Sequence, residues 1–105
     1  MRILFDQSTP LPLRDSLTGH TVATAYEMGW STLNNGDLLT EAEKAGFELF
    51  ITTDQNLRYQ QNLQNRRIAI MVLPTTRWPQ IALHVAEVLS ALNTFRAGDY
   101  CELQW

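Results

Sequence analysis

The chain has few of the residues that mark the common classes of small proteins. It contains one cysteine, Cys101, so no internal disulfide can form and nothing indicates an oxidising compartment. It contains one lysine, Lys44, beside seven arginines, and its net charge is -3. Nonspecific nucleic-acid binding takes most of its affinity from many Lys and Arg side chains that neutralise phosphates. The sequence therefore excludes a general nucleic-acid binder, and any phosphate contact has to be local.

Several functional motifs are also missing. There is no GxGxxG motif and no P-loop, so we expect no nucleotide cofactor. A haloacid-dehalogenase-type phosphatase needs a second Asp two residues after the first, and Ser8 occupies that position. A receiver domain needs an acidic pair after the first strand, whereas Asp6 has no acidic neighbour and Lys44 lies on a predicted helix. Neither His20 nor His84 lies near a nucleophile in the sequence, so a hydrolytic triad is not indicated.

Long apolar runs are absent as well. No run reaches membrane-spanning length and no basic, apolar leader follows Met1, so we expect a cytoplasmic protein that does not enter a membrane. With 105 residues, of which 45% are hydrophobic, the chain can bury one core. We predict a single domain over residues 1–105.

Apolar runs and helical periodicities alternate along the chain. The runs predict strands at Arg2–Phe5, Thr21–Ala25, Phe47–Thr53 and Ile68–Leu73, and Tyr100–Trp105 fits a short edge strand. The periodicities predict helices at Leu11–Leu17, from Asp37 to a stop at Gly46, at Asn56–Leu63, and from Pro79 to Phe95. Strands that alternate with helices imply an α/β fold with a mainly parallel sheet of four to five strands, and we choose the order 2-1-3-4.

The first and third predicted strands each end in a carboxylate. Asp6 follows Ile3-Leu4-Phe5, and Asp54 follows the run from 47 to 53. In the predicted order these strands are neighbours at the point where the winding reverses, and open α/β sheets bind ligands at that point. We therefore expect Asp6 and Asp54 to meet in one crevice. Each acid is also compatible with a local Asx-turn.

Grouped carboxylates indicate a metal ion. Such groups repel one another unless a cation, a shared proton or a basic partner compensates, and oxygen ligands favour Mg²⁺ or Mn²⁺. Asp37 is the natural third acid because it opens a helix after Asn35-Gly36, although a helix cap or a first-turn acid fits equally well there. The predicted metal ligands, which are also the predicted catalytic residues, are Asp6, Asp37 and Asp54.

The residues after Asp54 are candidates for substrate binding. Asn56 and Gln60 share one face of the predicted helix and could direct amide groups at a water or a phosphate, although solvent-facing amides are the commoner use. Arginines in the same stretch could hold a phosphate backbone, although each alone more often belongs to a solvated face. These arginines are Arg58, Arg66, Arg67 and Arg77.

Short motifs along nearly the whole chain resemble a family of small PIN-like domains. The motifs are Phe5-Asp6, Gly19-His20, Met28-Gly29-Trp30, Asn35-Gly36-Asp37-Leu38-Leu39, Ala42-Glu43, Gly46-Phe47, Thr52 with Asp54, Asn56-Leu57, Tyr59-Gln60-Gln61-Asn62-Leu63, and Val72-Leu73 before Arg77-Trp78-Pro79. Their shared order and spacing carry the resemblance. It implies a three-layer α/β/α fold with acids at the sheet edge that, in PIN nucleases, bind Mg²⁺ or Mn²⁺ and cut RNA.

The resemblance also implies roles for single residues. Asp6, Asp37 and Asp54 fall where PIN-like domains carry their acids, and Asn56 takes the position of a further polar ligand where larger PIN domains have an acid. The implied function is a metal-dependent ribonuclease, the toxin half of a toxin-antitoxin pair, with an antitoxin-like protein as partner. The alternative is a PIN-like module without turnover that acts through protein contacts, as a homodimer or with a small partner. Leu83 and Trp105 are the candidate contacts for that alternative.

Overall fold

The computed structural model describes residues 1–60 and 62–105, and its centre is a parallel sheet of five strands. The strands are β1 Arg2–Phe5, β2 Thr21–Thr24, β3 Leu49–Thr52, β4 Ala69–Val72 and β5 Tyr100–Glu102. Their order is β2-β1-β3-β4-β5, and each neighbouring pair is parallel. The predicted order 2-1-3-4 is confirmed, with the predicted short fifth strand added beside β4.

Short helices cover the sheet. They are a 3₁₀ helix Leu11–Ser16 and the α-helices α1 Asn35–Lys44, α2 Leu57–Gln60, α3 Trp78–Ala82 and α4 Val85–Leu92. The helix predicted over 56–63 is shorter than expected, because α2 begins at Leu57 and residues 62–65 are not helical. Gln61 and the side chain of Gln60, which belong to that prediction, lie outside the described residues. None of the described helices is long and apolar enough to cross a membrane.

Alternate residues of the strands pack into two separate cores. Ile3 and Phe5 of β1 contribute to one core and Leu4 to the other, and all three are fully buried. The first core is completed by the 3₁₀ helix, α3 and α4, through residues that include Leu13, Ile81, Val88 and Leu92. The second is completed by α1 and α2, through residues that include Leu38, Leu39, Ala42 and Leu57. The molecule is therefore a three-layer α/β/α sandwich, as a parallel sheet buried on both faces requires.

The prediction of a single long helix from Pro79 to Phe95 is wrong, because this segment forms two helices, α3 and α4, with a non-helical residue between them. His84 leaves the helical conformation, with φ -122° and ψ 21°, and stands at the N-cap of α4. Its ring stacks on Trp105 at 4.6 Å between centroids, and its Nδ1 lies 2.9 Å from Oε2 of Glu87. The sequence has no Gly or Pro at the break. Because the contact between His84 and Trp105 joins residues far apart in sequence, the periodicity of apolar residues could not have predicted this interruption of the helix.

The backbone ladder continues past β1 and so positions the residue that follows it. The N–H of Asp6 donates to the carbonyl of Ile51 at 3.2 Å, and the N–H of Ala25 donates to the carbonyl of Phe5 at 2.8 Å. Asp6 is therefore held beside the end of β3, at the carboxyl edge of the sheet and at the point where the strand order reverses.

Candidate active site at the carboxyl edge of the sheet

Asp6 carries a nearly buried carboxylate, with 9% of the residue exposed. Its Oδ1 accepts from the backbone N–H of Thr9 at 3.1 Å and lies 2.8 Å from the Thr9 hydroxyl. The hydroxyl of Ser8 lies 2.8 and 2.9 Å from the two carboxylate oxygens. The hydroxyl of Thr52 donates to Oδ2 at 2.5 Å. These neutral donors offset the cost of burying the charge.

Thr52 connects Asp6 to Asp54. The Thr52 hydroxyl donates to Asp6 and accepts from the backbone N–H of Asp54 at 3.0 Å. Thr52 is the last residue of β3 and is fully buried, so the bridge lies inside the sheet edge rather than in solvent. One buried hydroxyl thus sets the position of both acids, which come from neighbouring strands.

Asp54 is more open than Asp6 and has its own set of donors. Its Oδ2 accepts from Nδ2 of Asn35 at 2.9 Å, and its Oδ1 accepts from the backbone N–H of Asn56 at 2.9 Å. The second contact is an Asx-turn, and the bond from the Thr9 N–H to Asp6, which spans three residues, is a related local turn. The local-turn interpretation therefore holds for both acids, and it describes the same side chains that face a shared cavity.

That cavity has a volume of about 310 Å³. Its polar lining comes from Asp6, Gln7, Ser8, Ser31, Asn35, Thr53 and Asp54, and its apolar lining from Ala25, Trp30, Leu33 and Leu38. Carboxylate, hydroxyl and amide oxygens, without sulfur or imidazole, are the donor set that Mg²⁺ and Mn²⁺ prefer. The residues present therefore fit the predicted class of ion. Within residues 1–60 and 62–105, neither Asp6 nor Asp54 forms an ion pair with Lys, Arg or His.

Among the described residues, Asp37 forms no hydrogen bond with these two acids and does not line their cavity. It is exposed in the first turn of α1, where its backbone N–H donates to Oδ1 of the N-cap residue Asn34 at 2.8 Å. The residue of this segment that reaches Asp54 is Asn35. In the described part of the chain no three His, Cys, Asp or Glu side chains are grouped as for a metal ion. The structure therefore brings two of the three predicted acids together and leaves the third in the first turn of a helix.

The predicted substrate-binding residues have mixed positions. Asn56 is exposed and reaches Asp54 through its backbone N–H. Arg58 lies 3.4 Å from Oε1 of Glu102 in β5 and donates to the hydroxyl of Tyr59 at 2.6 Å. The side chain of Gln60 lies outside the described residues. Asn56 therefore borders the site, whereas Arg58 is directed to the far strand of the sheet.

Four residues that hold the acids were not predicted as site residues: Ser8, Thr9, Asn35 and Thr52. A Ser-Thr pair after an Asp is a local signal for a hydrogen-bonded turn. Two Asn residues stand side by side at positions 34 and 35, and a helix needs only one of them as its N-cap. The second, Asn35, could therefore have been predicted as a site residue. Thr52 has no comparable signal, because its main partner lies on another strand.

We expect Thr52→Val to reduce the free energy of unfolding by about 1–3 kcal/mol, because a buried oxygen of Asp6 loses its donor and the Asp54 N–H loses its acceptor. Urea unfolding measures the change. Thr52→Ser keeps the hydroxyl and should lose less. Thr18→Val, at an exposed position, is the control and should change the free energy by less than about 0.5 kcal/mol. A Thr52→Val protein as stable as wild type would show that the bridge contributes nothing.

Comparison with models of protein families, with curated proteins and with solved structures gave no match. The function therefore has to be inferred from the residues of this site.

Proposed function

We propose that the chain is a metal-dependent ribonuclease of PIN-like type, with Asp6 and Asp54 as its metal-binding carboxylates. The observation that carries the proposal is that these acids share one open cavity, whose polar lining consists of hydroxyl, amide and carboxylate groups, where the central strands β1 and β3 end. Neither acid has a cationic partner among the described residues. Two carboxylates so placed create a negative potential that a divalent cation can neutralise.

The chain's own residues would fix the two acids in different ways. The hydroxyls of Ser8, Thr9 and Thr52 form hydrogen bonds with the carboxylate of Asp6, while the amide of Asn35 donates to Asp54. Because all four donors are neutral, the site retains its two negative charges for a cation. Bound Mg²⁺ or Mn²⁺ would supply an activated water and stabilise charge on the leaving oxygen.

This chemistry needs no histidine as general base, which agrees with the positions of the two histidines. Nδ1 of His20 lies 3.2 Å from the amino group of Met1, and His84 is stacked on Trp105. Asp37 as a third ligand, and Asn56 as a residue that orients water or substrate, stay predictions. The role of toxin with an antitoxin-like partner is part of the proposal and depends on the PIN-like resemblance.

We expect Mn²⁺ to bind weakly to the wild-type protein at a single site, because Mg²⁺-type ions held by few carboxylates complete their shell with water and substrate phosphates. Calorimetric titration measures the binding. The Asp6→Asn/Asp54→Asn double variant should lose it, and Asp37→Asn shows whether the third acid takes part. Asp15→Asn, a change at an exposed acid of the 3₁₀ helix, is the control. Equal binding by wild type and the double variant would refute the assignment.

A second candidate function is a protein-interaction module without turnover. Two exposed hydrophobic side chains favour it. Leu83, between α3 and α4, is 81% exposed, and Trp105, which stacks on the neighbouring His84, is 36% exposed. Such a module would act as a homodimer or with a small partner protein. Size-exclusion chromatography with light scattering, together with a pull-down, tests this candidate, and a monomer that captures no partner would count against it.

A further inference from the structure

A second cavity adjoins the acid site. It has a volume of about 740 Å³, and its lining shares Asp6, Gln7 and Ser8 with the first cavity. The segment from Asp6 to Ser8 is therefore the wall between two connected depressions at the carboxyl edge of the sheet. On the far side of this wall the lining includes Leu11 and Tyr26, which are 54% and 77% exposed.

Tyr26 lies in a hydrogen-bonded turn. It lies two residues after β2, where the N–H of Met28 donates to the carbonyl of Thr24 at 3.1 Å and the N–H of Gly29 donates to the carbonyl of Tyr26 at 3.0 Å. Glu27 accepts from the backbone N–H of Thr24 at 3.0 Å and from Arg14 at 2.7 Å. The backbone under the ring is thus fixed by local bonds, and the ring itself projects toward solvent beside the second cavity.

The charged residues of this cavity favour the base of a nucleotide over its phosphate. Among the described residues its lining contains the acids Asp6 and Glu27 but no Lys, Arg or His. A phosphate would find no cationic partner in this lining, because Arg14 is paired with Glu27, whereas an uncharged base could lie against the Tyr26 ring and the Leu11 side chain. Stacking on an aromatic ring accepts every base and does not need a positive surface, which suits a chain with a net charge of -3.

We propose that Tyr26 is a base-stacking residue for single-stranded RNA, one base lying in the second cavity while the adjoining phosphate lies over Asp6 and Asp54. This inference depends on the proposed ribonuclease function and names its substrate class as unpaired RNA. Single-stranded segments are the usual targets of proteins that read RNA by stacking, because their bases are free to turn outward.

The test uses a fluorescein-labelled single-stranded oligoribonucleotide and fluorescence anisotropy with Ca²⁺ in place of Mn²⁺, and it leaves Asp6 and Asp54 unchanged so that both proposed metal-binding carboxylates are present. Gel electrophoresis after each titration checks that the RNA is intact. We expect Tyr26→Ala to raise the Kd by about 5- to 150-fold, the range that corresponds to the loss of one stacked base. Tyr26→Phe keeps the ring and should bind as wild type does. Tyr59→Ala is the matched control, because Tyr59 is 72% exposed and lines neither cavity.

An oligoribonucleotide with abasic positions completes the test. Stacking predicts that Tyr26→Ala and wild type bind this probe equally, because there is no base to lose. Equal binding of the normal RNA by both proteins, or no binding by either, overturns the inference, as does an effect of Tyr26→Ala on oligomeric state alone. Cleavage of RNA by wild type with Mn²⁺ is scored separately. If wild type does not cleave but binding still requires Tyr26 and the base, the ribonuclease proposal fails and the stacking site stands.

Discussion

Replacing Asp6 or Asp54 with Asn should reduce Mn²⁺-dependent RNA cleavage by at least about 100-fold, the loss typical for removing one group that stabilises transition-state charge. Each change keeps the shape of the side chain and removes one of the two negative charges in the cavity. The rate of cleavage of a single-stranded RNA under excess enzyme measures the effect. Asp6→Asn should also be the less stable variant, because the Thr9 N–H and the Thr52 hydroxyl donate to different oxygens of Asp6, and an amide has only one acceptor oxygen for them.

Two further variants make the result specific to the site. Asp15→Asn removes a charge at an exposed position outside the cavity and should cleave at the wild-type rate. Asp37→Asn distinguishes a site of two acids from a site of three. The variant should cleave more slowly than wild type only if Asp37 is a third metal ligand. The same proteins are expressed in cells, where the toxin proposal predicts that wild type slows growth and the Asp6 and Asp54 variants do not. If wild type is inert in both assays, or the variants match it, the interaction module replaces the ribonuclease.

Replacing Glu43 with Gln should lower the free energy of unfolding by about 2 kcal/mol, since a largely buried cluster loses its negative charge and one of its two acceptor oxygens. Oε1 of Glu43 accepts from Nη1 of Arg66 at 2.7 Å, and only 18% and 19% of these side chains are exposed. Oε2 accepts from the backbone N–H of Arg67 at 2.6 Å and of Ile68 at 3.3 Å. Glu43 thereby ties α1 to the chain that enters β4. Denaturant unfolding at neutral pH measures the loss.

The same contacts make part of the stability depend on pH. Burial raises the pKa of Glu43, but the hydrogen bonds from Arg66 and from the N–H groups of Arg67 and Ile68 outweigh it and hold the pKa below the ordinary 4.5. Because the folded pKa is the lower one, the stabilisation is present above about pH 4.5 and is lost as the pH falls through the folded pKa. The difference between wild type and Glu43→Gln should therefore shrink in acid.

Glu41→Gln is the control for this pH dependence. Glu41 lies on the same helix and pairs with Lys44 at 3.7 Å, with 71% of the Lys44 side chain exposed. An exposed pair of this kind contributes little to stability, so the variant should follow the wild-type curve. A gap between wild type and Glu43→Gln that stays constant from pH 7 to acid would contradict the role given to the Glu43 cluster.

The arginines show where prediction from sequence stops. Arg58, Arg66, Arg67 and Arg77 were all candidates for phosphate contacts, because they follow Asp54 closely. Arg66 instead pairs with Glu43, and Arg58 lies against Glu102. Both acids are far from their partners in sequence. A composition or spacing argument could not separate these structural arginines from exposed ones.

Local sequence pattern was enough to predict the layered fold and the places of Asp6 and Asp54. Short apolar runs that alternate with helical periodicities favour a buried parallel sheet, and an acid directly after such a run then lies at its carboxyl edge. Both features depend on neighbouring residues, which is why pattern alone was sufficient.

The groups that surround those acids depend on contacts between distant segments. The tertiary structure paired Asp54 with Asn35 rather than Asp37, bridged the two acids through Thr52, broke the last helix at His84 against Trp105, and placed Tyr26 across the wall from Asp6. These contacts depend on strand register and on the angle at which each helix packs. Such quantities arise between segments distant in sequence, so no local pattern of apolar and polar residues carries them.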